Sequence, residues 1–441
     1  MNGDSERFRA GGDFVIAGGR VVDPANEIDG PGDLVIRGGK VDGLGAPDST
    51  VSYDLPRFDA SGLIVAPGFV DPHASFREPG DEADETVASG AEAALAGGFT
   101  TVACLPDTSP AVDNRAAAEF VTLQGARAGF ARVLPLGAVT KGVAGEELAE
   151  IGQLVEGHAV AFTDGKRPIR NAEILRRALQ YAGMFDRVVM TLPQVAELID
   201  GRVMHEGRLS TRLGLPGMPA AAEHIAVDRD IALAELTGAR LHLMCVSTSQ
   251  AVASIAAAKG RGVRVTADVT PHHLALDDGS LASFDSRFKT MPPLRPAEHV
   301  DALRRGLAEG VIDAVCADHQ PLAPQKKSGD LLGDPFGASG IEAAVSAFAA
   351  ATLGRDGLDW PRIVAALSWG PAKVLDIDAG TLTPGRPADV TLIAPDATPI
   401  IRGEAFRSRG KSTPFEESTG RGEVRAVFVG GVLKFHTDGR S

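Results

Sequence analysis

The chain has 441 residues, a formal net charge of -14, and 44% hydrophobic against 23% charged residues; this exceeds one ordinary domain, suits a large α/β barrel with a smaller companion, and excludes a disordered or repetitive polymer. The acidic balance without a basic stripe disfavours nucleic acid as a partner. No run of about 18 apolar residues marks a membrane span, and the polar stretch from Met1 to Gly12 lacks the apolar centre of a secretion signal, so a cytoplasmic chain is expected.

From Asp13 to Val65, short β-rich runs broken by glycine (FVIAGGRVVD, DLVIRGGKVDGLG, FDASGLIVAPG) read as hairpin strands. The same texture returns near the end in ADVTLIAP and RGEVRAVFVGGVLKFH. A composite β-sandwich built from residues 12–66 and 380–438 is therefore expected, with residues 67–379 inserted between its halves. In that insert, GFVDPH, TTVACLP, RVLPLGAV, AVAFTDG, RVVMTLP, RLHLMCVS, VRVTADVTPHH and IDAVCADH alternate with Ala/Leu-rich helical runs. Alternation of this kind predicts βα units on a parallel sheet. Eight strands, with no GxGxxG after the first, predict a (β/α)8 TIM-type barrel of the α/β class.

Barrel chemistry sits at the C-terminal strand ends. His73 ends the first predicted strand and is followed closely by Arg77, whose planar fork of donors suits a carboxylate. Asp318 follows the last apolar run, where a carboxylate can bind a cation, move a proton or cap a helix. His272 and His273 are neighbours on what reads as an extended segment, which would send them to opposite faces and favours a structural role. Cys104, Cys245 and Cys316 show no CxxC spacing and are read first as small buried apolar residues.

Several stretches carry a resemblance: PGFVDPHASFREPG, MHEGRLSTRLGLPGMP, VTPHHLAL, MPPLRP, IDAVCADHQP, DPFGASGIE and GRPADVTLI. Taken in order, they resemble the class I dihydroorotases of the amidohydrolase superfamily. The resemblance implies ring closure of carbamoyl aspartate to dihydroorotate in pyrimidine biosynthesis, by metal-activated water with a carboxylate as proton shuttle. It also implies a set of positions, and this chain departs from many of them. His73 fills the first place of the family's His-x-His, but Ser75 stands in the second. Asp164, before Gly165, either takes the bridging carboxylate's role or leaves it empty. Leu192 and Cys245 stand where two further histidine ligands are implied, while Asp318 retains the last-strand aspartate. Among implied substrate contacts Arg77 is kept, whereas Asp107, Met291 and Leu322 are replacements.

Three readings follow from the residues and the resemblance. The first is a non-catalytic dihydroorotase homologue without metal, retained to support assembly of aspartate transcarbamoylase in an oligomer. The second is an active dihydroorotase or related cyclic amidohydrolase holding at most one zinc ion through His73, Asp164 and Asp318, with Cys245 assisting as a thiolate. The third is an amidohydrolase with a changed substrate, such as another cyclic amide.

Overall fold

The alternating run FVIAGGRVVD forms the strand Phe14–Asp23, which pairs antiparallel with Ile28–Arg37; that strand in turn pairs with Lys40–Gly45. The computed structural model describes residues 7–45, 55–327 and 329–437. Residues 46–54 of the first β-rich segment and residue 438 at the end of the second lie outside the described residues. Ile64–Pro67 runs parallel to Phe14–Asp23 and antiparallel to Val390–Ala394, so the two chain ends meet inside one sheet. Glu423–Val429 and Val432–His436 then complete its other edge. Phe14, Ile16, Leu34, Ile36, Val65, Leu392 and Phe428 are buried together as the core of this β-sandwich domain. Burying each such side chain favours folding by about 1.5–3 kcal/mol.

The barrel strands follow the predicted order. Phe69–Ala74, Phe99–Cys104 and Arg132–Pro135 pair in parallel, as do Val189–Thr191, Leu241–Leu243, Val265–Val269 and Ala314–Val315. The run AVAFTDG takes the fourth place with a single residue, Phe162, which bridges in parallel to Gly137 on one side and Val189 on the other. Asp164 and the left-handed Gly165, at φ 62°, lead the chain away soon afterwards. The ring closes where Ser75 N–H donates to the His319 carbonyl at 2.9 Å and the Asp71 carboxylate accepts from Ala317 N–H at 3.2 Å. The molecule is thus a (β/α)8 barrel joined to a β-sandwich domain.

One expectation fails at TPHHL. Residues Pro271–Ala275 form a short helix, not an extended segment, because Thr270 caps it through His273 N–H and Pro271 pre-sets the first helical turn. The two imidazoles consequently lie on neighbouring surfaces, with ring centroids 4.6 Å apart.

The first barrel helix, Val87–Ala96, shows how tightly this framework is packed. Thr86 caps it, accepting from Ser89 N–H at 3.1 Å, and Gly90 lies against the Phe76 ring. A Cβ at Gly90 would come within 2.3 Å of that ring. Alanine would favour the helix by about 1 kcal/mol, but overpacking costs about 1–3 kcal/mol. Gly90→Ala is therefore expected to lower the unfolding free energy by up to about 2 kcal/mol, read as a lower urea midpoint at unchanged slope; a higher midpoint would show that Phe76 yields freely.

Candidate active site at the barrel mouth

Asp268 lies at the centre of the mouth. It interrupts the apolar strand Val265–Val269 and is fully buried. Its Oδ2 meets His73 Nε2 at 2.7 Å and His242 Nε2 at 2.8 Å. Its Oδ1 accepts from Cys245 N–H at 2.7 Å and from the Cys316 thiol at 3.1 Å. Burial works against charge on this carboxylate, but His73 and His242 outweigh it and hold its pKa well below the usual range. Burial likewise disfavours the His73 imidazolium, and Asp268 and Cys245 reverse that, raising it well above its ordinary value. The two form a buried pair in which each offsets the other's burial, while His73 Nδ1 has no hydrogen-bond partner among the described residues.

Beside this group stands Lys166, the residue directly after Gly165. Its ammonium forms an ion pair with Asp318, lies 3.3 Å from Cys245 Sγ and donates to the Met291 carbonyl at 3.4 Å. Burial opposes its charge, yet Asp318 and Cys245 outweigh that opposition and leave its pKa raised. The Cys245 thiol is pushed up by burial and drawn down more strongly by the Cys316 hydrogen bond, Lys166 and His73, with a net lowering. Burial raises the neighbouring Cys316 thiol well above its ordinary value. Burial also keeps His272 neutral, with its pKa pushed down to about 3 and Lys166 adding to the effect. Arg77, Cys245 and Asp318 all hold left-handed backbone, at φ 58°, 53° and 47°. Such conformations cost non-glycine residues about 1–3 kcal/mol and gather at functional sites.

The structure brings together only some of the residues singled out from the sequence. His73, Cys245 and Asp318 meet at the mouth, with His272 Nε2 3.8 Å from Asp318 Oδ2. Asp164 is held elsewhere: its carboxylate accepts from the N–H groups of Val139 and Thr140 at 3.0 and 2.9 Å and from Thr140 Oγ1 at 2.6 Å. That capping of the loop after the third strand uses both oxygens. Ser75 Oγ donates to Gln320 Oε1 at 3.0 Å, and Arg77 Nη2 donates to the same oxygen at 3.0 Å. Leu192 is packed with Met190, Met244, Cys245 and Cys316, and Met291 lies against them. Leu322 is buried, while Asp107 is half-buried with its carboxylate beside Gly165.

Sequence reasoning missed Asp268, Lys166, His242 and Cys316. A signal existed for Asp268, since a carboxylate inside the strand-like run VRVTADV must be either partnered or wrong for a buried strand. Cys316 directly follows the eighth strand, and Cys245 comes two residues after the sixth. Lys166 gave no signal, because a lysine after a turn reads as solvated surface.

The two-ion centre that the family resemblance implies does not fit these residues. Leu192 offers no donor, Ser75 is engaged with Gln320, Asp164 with the Thr140 loop, and Asp318 carries the Lys166 ammonium. One other group has metal-donor chemistry: His73, Cys245, Asp268 and Cys316 each place a donor atom within 4.8 Å of the others. Its two sulfurs, imidazole and carboxylate suit a single zinc ion in type, but all four are hydrogen-bonded among themselves or to Lys166.

The architecture is that of the amidohydrolase barrels. The L-hydantoinase (dihydropyrimidinase) of Arthrobacter aurescens superposes with a TM-score of 0.85 over 96% of this chain and 95% of that one, at 22% identity. A D-hydantoinase matches with a TM-score of 0.80 over 96% of each chain, at 21% identity. In sequence, a dihydro-orotase-like family model matches residues 62–251. The dihydroorotase of Pelotomaculum thermopropionicum is 45% identical over 95% of this chain and 97% of its own length. The putative dihydroorotase of Rhodopirellula baltica is 44% identical over 96% of this chain and 92% of its own. The chain belongs to the dihydroorotase family. No helix among the described residues is long and apolar enough to cross a membrane.

Proposed function

We propose that this chain is a dihydroorotase-family protein of pyrimidine biosynthesis that does not itself run the metal-dependent ring closure and instead supports aspartate transcarbamoylase, the preceding enzyme. The observation that carries this reading is the Lys166 ammonium on Asp318, the one carboxylate retained at a family metal position. A proton shuttle must exchange its proton with water and substrate, and an aspartate paired with the Lys166 ammonium is poorly placed for that. Ligand binding is a separate matter. Arg77 Nε and Gln320 Nε2 are buried without hydrogen-bond partners among the described residues, which leaves donors for a carboxylated ligand.

A second reading, an active dihydroorotase with a reduced single-ion site, is favoured by the names of the relatives, which support it better than they support the non-catalytic one. The group of His73, Cys245, Asp268 and Cys316 supplies it with donors. A third, an altered cyclic amide as substrate, has only the replaced contacts Asp107, Met291 and Leu322 in its favour.

The purified chain, supplied with zinc and carbamoyl aspartate, is expected to form no dihydroorotate above the uncatalysed rate. Co-expression with aspartate transcarbamoylase is expected to yield a complex whose transcarbamoylase activity falls when this chain is omitted. Turnover of about 1 per second or more, within the ordinary enzyme range, would establish the second reading instead.

A further inference from the structure

At the mouth, Asp268 pairs with the His73 imidazole and Asp318 with the Lys166 ammonium. We propose that Lys166 is a tethered cation that has taken a metal's place at the barrel mouth, and that removing its side chain would open a thiolate–imidazole zinc site built from His73, Cys245 and Cys316 with Asp268 or Asp318. The inference deepens the non-catalytic reading and rests on it for the claim that the mouth works without an ion.

Three observations carry it. First, the ammonium reaches residues from separate parts of the barrel. Lys166 follows the fourth strand position, Cys245 the sixth, Met291 the seventh and Asp318 the eighth, and the ammonium contacts the last three. An ammonium has three protons; two of them go to Cys245 Sγ and the Met291 carbonyl, and its charge is paired with Asp318. Lys166 thus ties the strand ends together as a coordinated ion would.

Second, its partners have the chemistry of metal ligands. A thiol and a carboxylate are metal-donor groups, and the two cysteine sulfurs lie 3.9 Å apart with the His73 imidazole beside them. In type, these donors suit a thiophilic dication. What disfavours it is the ammonium 3.3 Å from Cys245 Sγ, since like charges at such separation in a poorly screened interior repel strongly.

Third, the lysine is not held there by lack of room. Its side chain is 17% exposed, so a path toward solvent exists, and it remains inward on its partners. A lysine that gained nothing from these contacts would extend its ammonium to water.

The test measures metal content, not activity. The full-length parent and Lys166→Met are each incubated with excess zinc, desalted and analysed by inductively coupled plasma mass spectrometry. The parent is expected to retain far less than one zinc per chain, and K166M about one, the occupancy of a single four-coordinate site. Cobalt is expected to give K166M an intense sulfur-to-cobalt charge-transfer absorption that is absent from the parent and lost again in K166M/C245S. Lys166→Arg, which keeps the cation, is expected to stay free of metal. Stoichiometric zinc in the parent overturns the proposal, as does a folded K166M that takes up none. Should K166M not fold, Lys166→Gln, which keeps hydrogen-bonding capacity without charge, is read in the same way. An inactive parent that holds zinc would sink this inference and leave the non-catalytic reading standing; an active parent free of metal would do the reverse.

Discussion

Replacing Asp268 by alanine is expected to cost about 3–5 kcal/mol of stability, the scale for breaking a buried ion pair by removing one partner. Four groups lose their acceptor at once: His73 Nε2, His242 Nε2, the Cys245 N–H and the Cys316 thiol. Asp268→Asn, which keeps an acceptor of similar size but not the charge, should lose less, and the difference between the two variants measures how much of the effect is electrostatic. The pH dependence has a definite sign. The depressed Asp268 pKa contributes stability that is present above its unfolded value near ~3.9 and lost as pH falls through the lower folded value. The raised His73 pKa contributes stability that is present below its unfolded value near ~6.5 and lost as pH rises through the higher folded value. The gap between parent and D268A in urea unfolding is therefore expected to be widest between about pH 4 and 6.5. A gap that stayed flat across pH would mean that Asp268 acts by packing alone.

Glu223→Ala is expected to be comparably severe, about 3–5 kcal/mol, for a related reason in a different place. Glu223 is buried on the helix Ala221–Thr237 and accepts from the Ser247 and Thr248 N–H groups at 2.8 Å each, and from Gln194 Nε2 at 3.1 Å. It also faces the buried Arg295 guanidinium, 3.8 Å away. Without it, two loop amides and one buried cation are left uncompensated. Because those amides lie two and three residues after Cys245, the loss should reach the mouth. Modification of Cys245 by a thiol reagent is expected to quicken in E223A under conditions where the variant is still folded. Glu223→Gln, with one amide oxygen still able to accept, should fall between the two. Unchanged thiol reactivity in E223A would show that the loop is held from elsewhere.

The architecture was legible because its signals are local. Alternating strands, glycine-broken hairpins and the recurrence of the same texture at both ends all survive in a linear reading, and the structure repeats them nearly strand for strand. AVAFTDG contributes only a single bridging residue, Phe162. The site was only half legible, because its organising contacts join positions far apart in the chain. Asp268 and His73 are 195 residues apart, and Asp268 and Cys316 are 48 apart. Substitutions such as Leu192 and Ser75 could be read as losses by resemblance alone. That Lys166 stands over Asp318 could not, since only barrel closure brings the fourth and eighth strand ends together. His272 and His273 failed for a local reason, the helix-starting pair Thr270–Pro271, which the sequence did display.

Synthesis proceeds from the amino terminus, and the order of strands in the β-sandwich turns that fact into a constraint. Ile64–Pro67 emerges early, but its antiparallel neighbour Val390–Ala394 emerges only after the whole barrel has been made. Until then that early strand presents an open hydrogen-bonding edge of the kind that recruits other chains. A nascent chain stalled anywhere in the barrel is thus an aggregation hazard, and a shortened chain lacking its last strands would keep that hazard permanently. The late strands act as a completion seal, so that only a fully translated molecule has its edge covered.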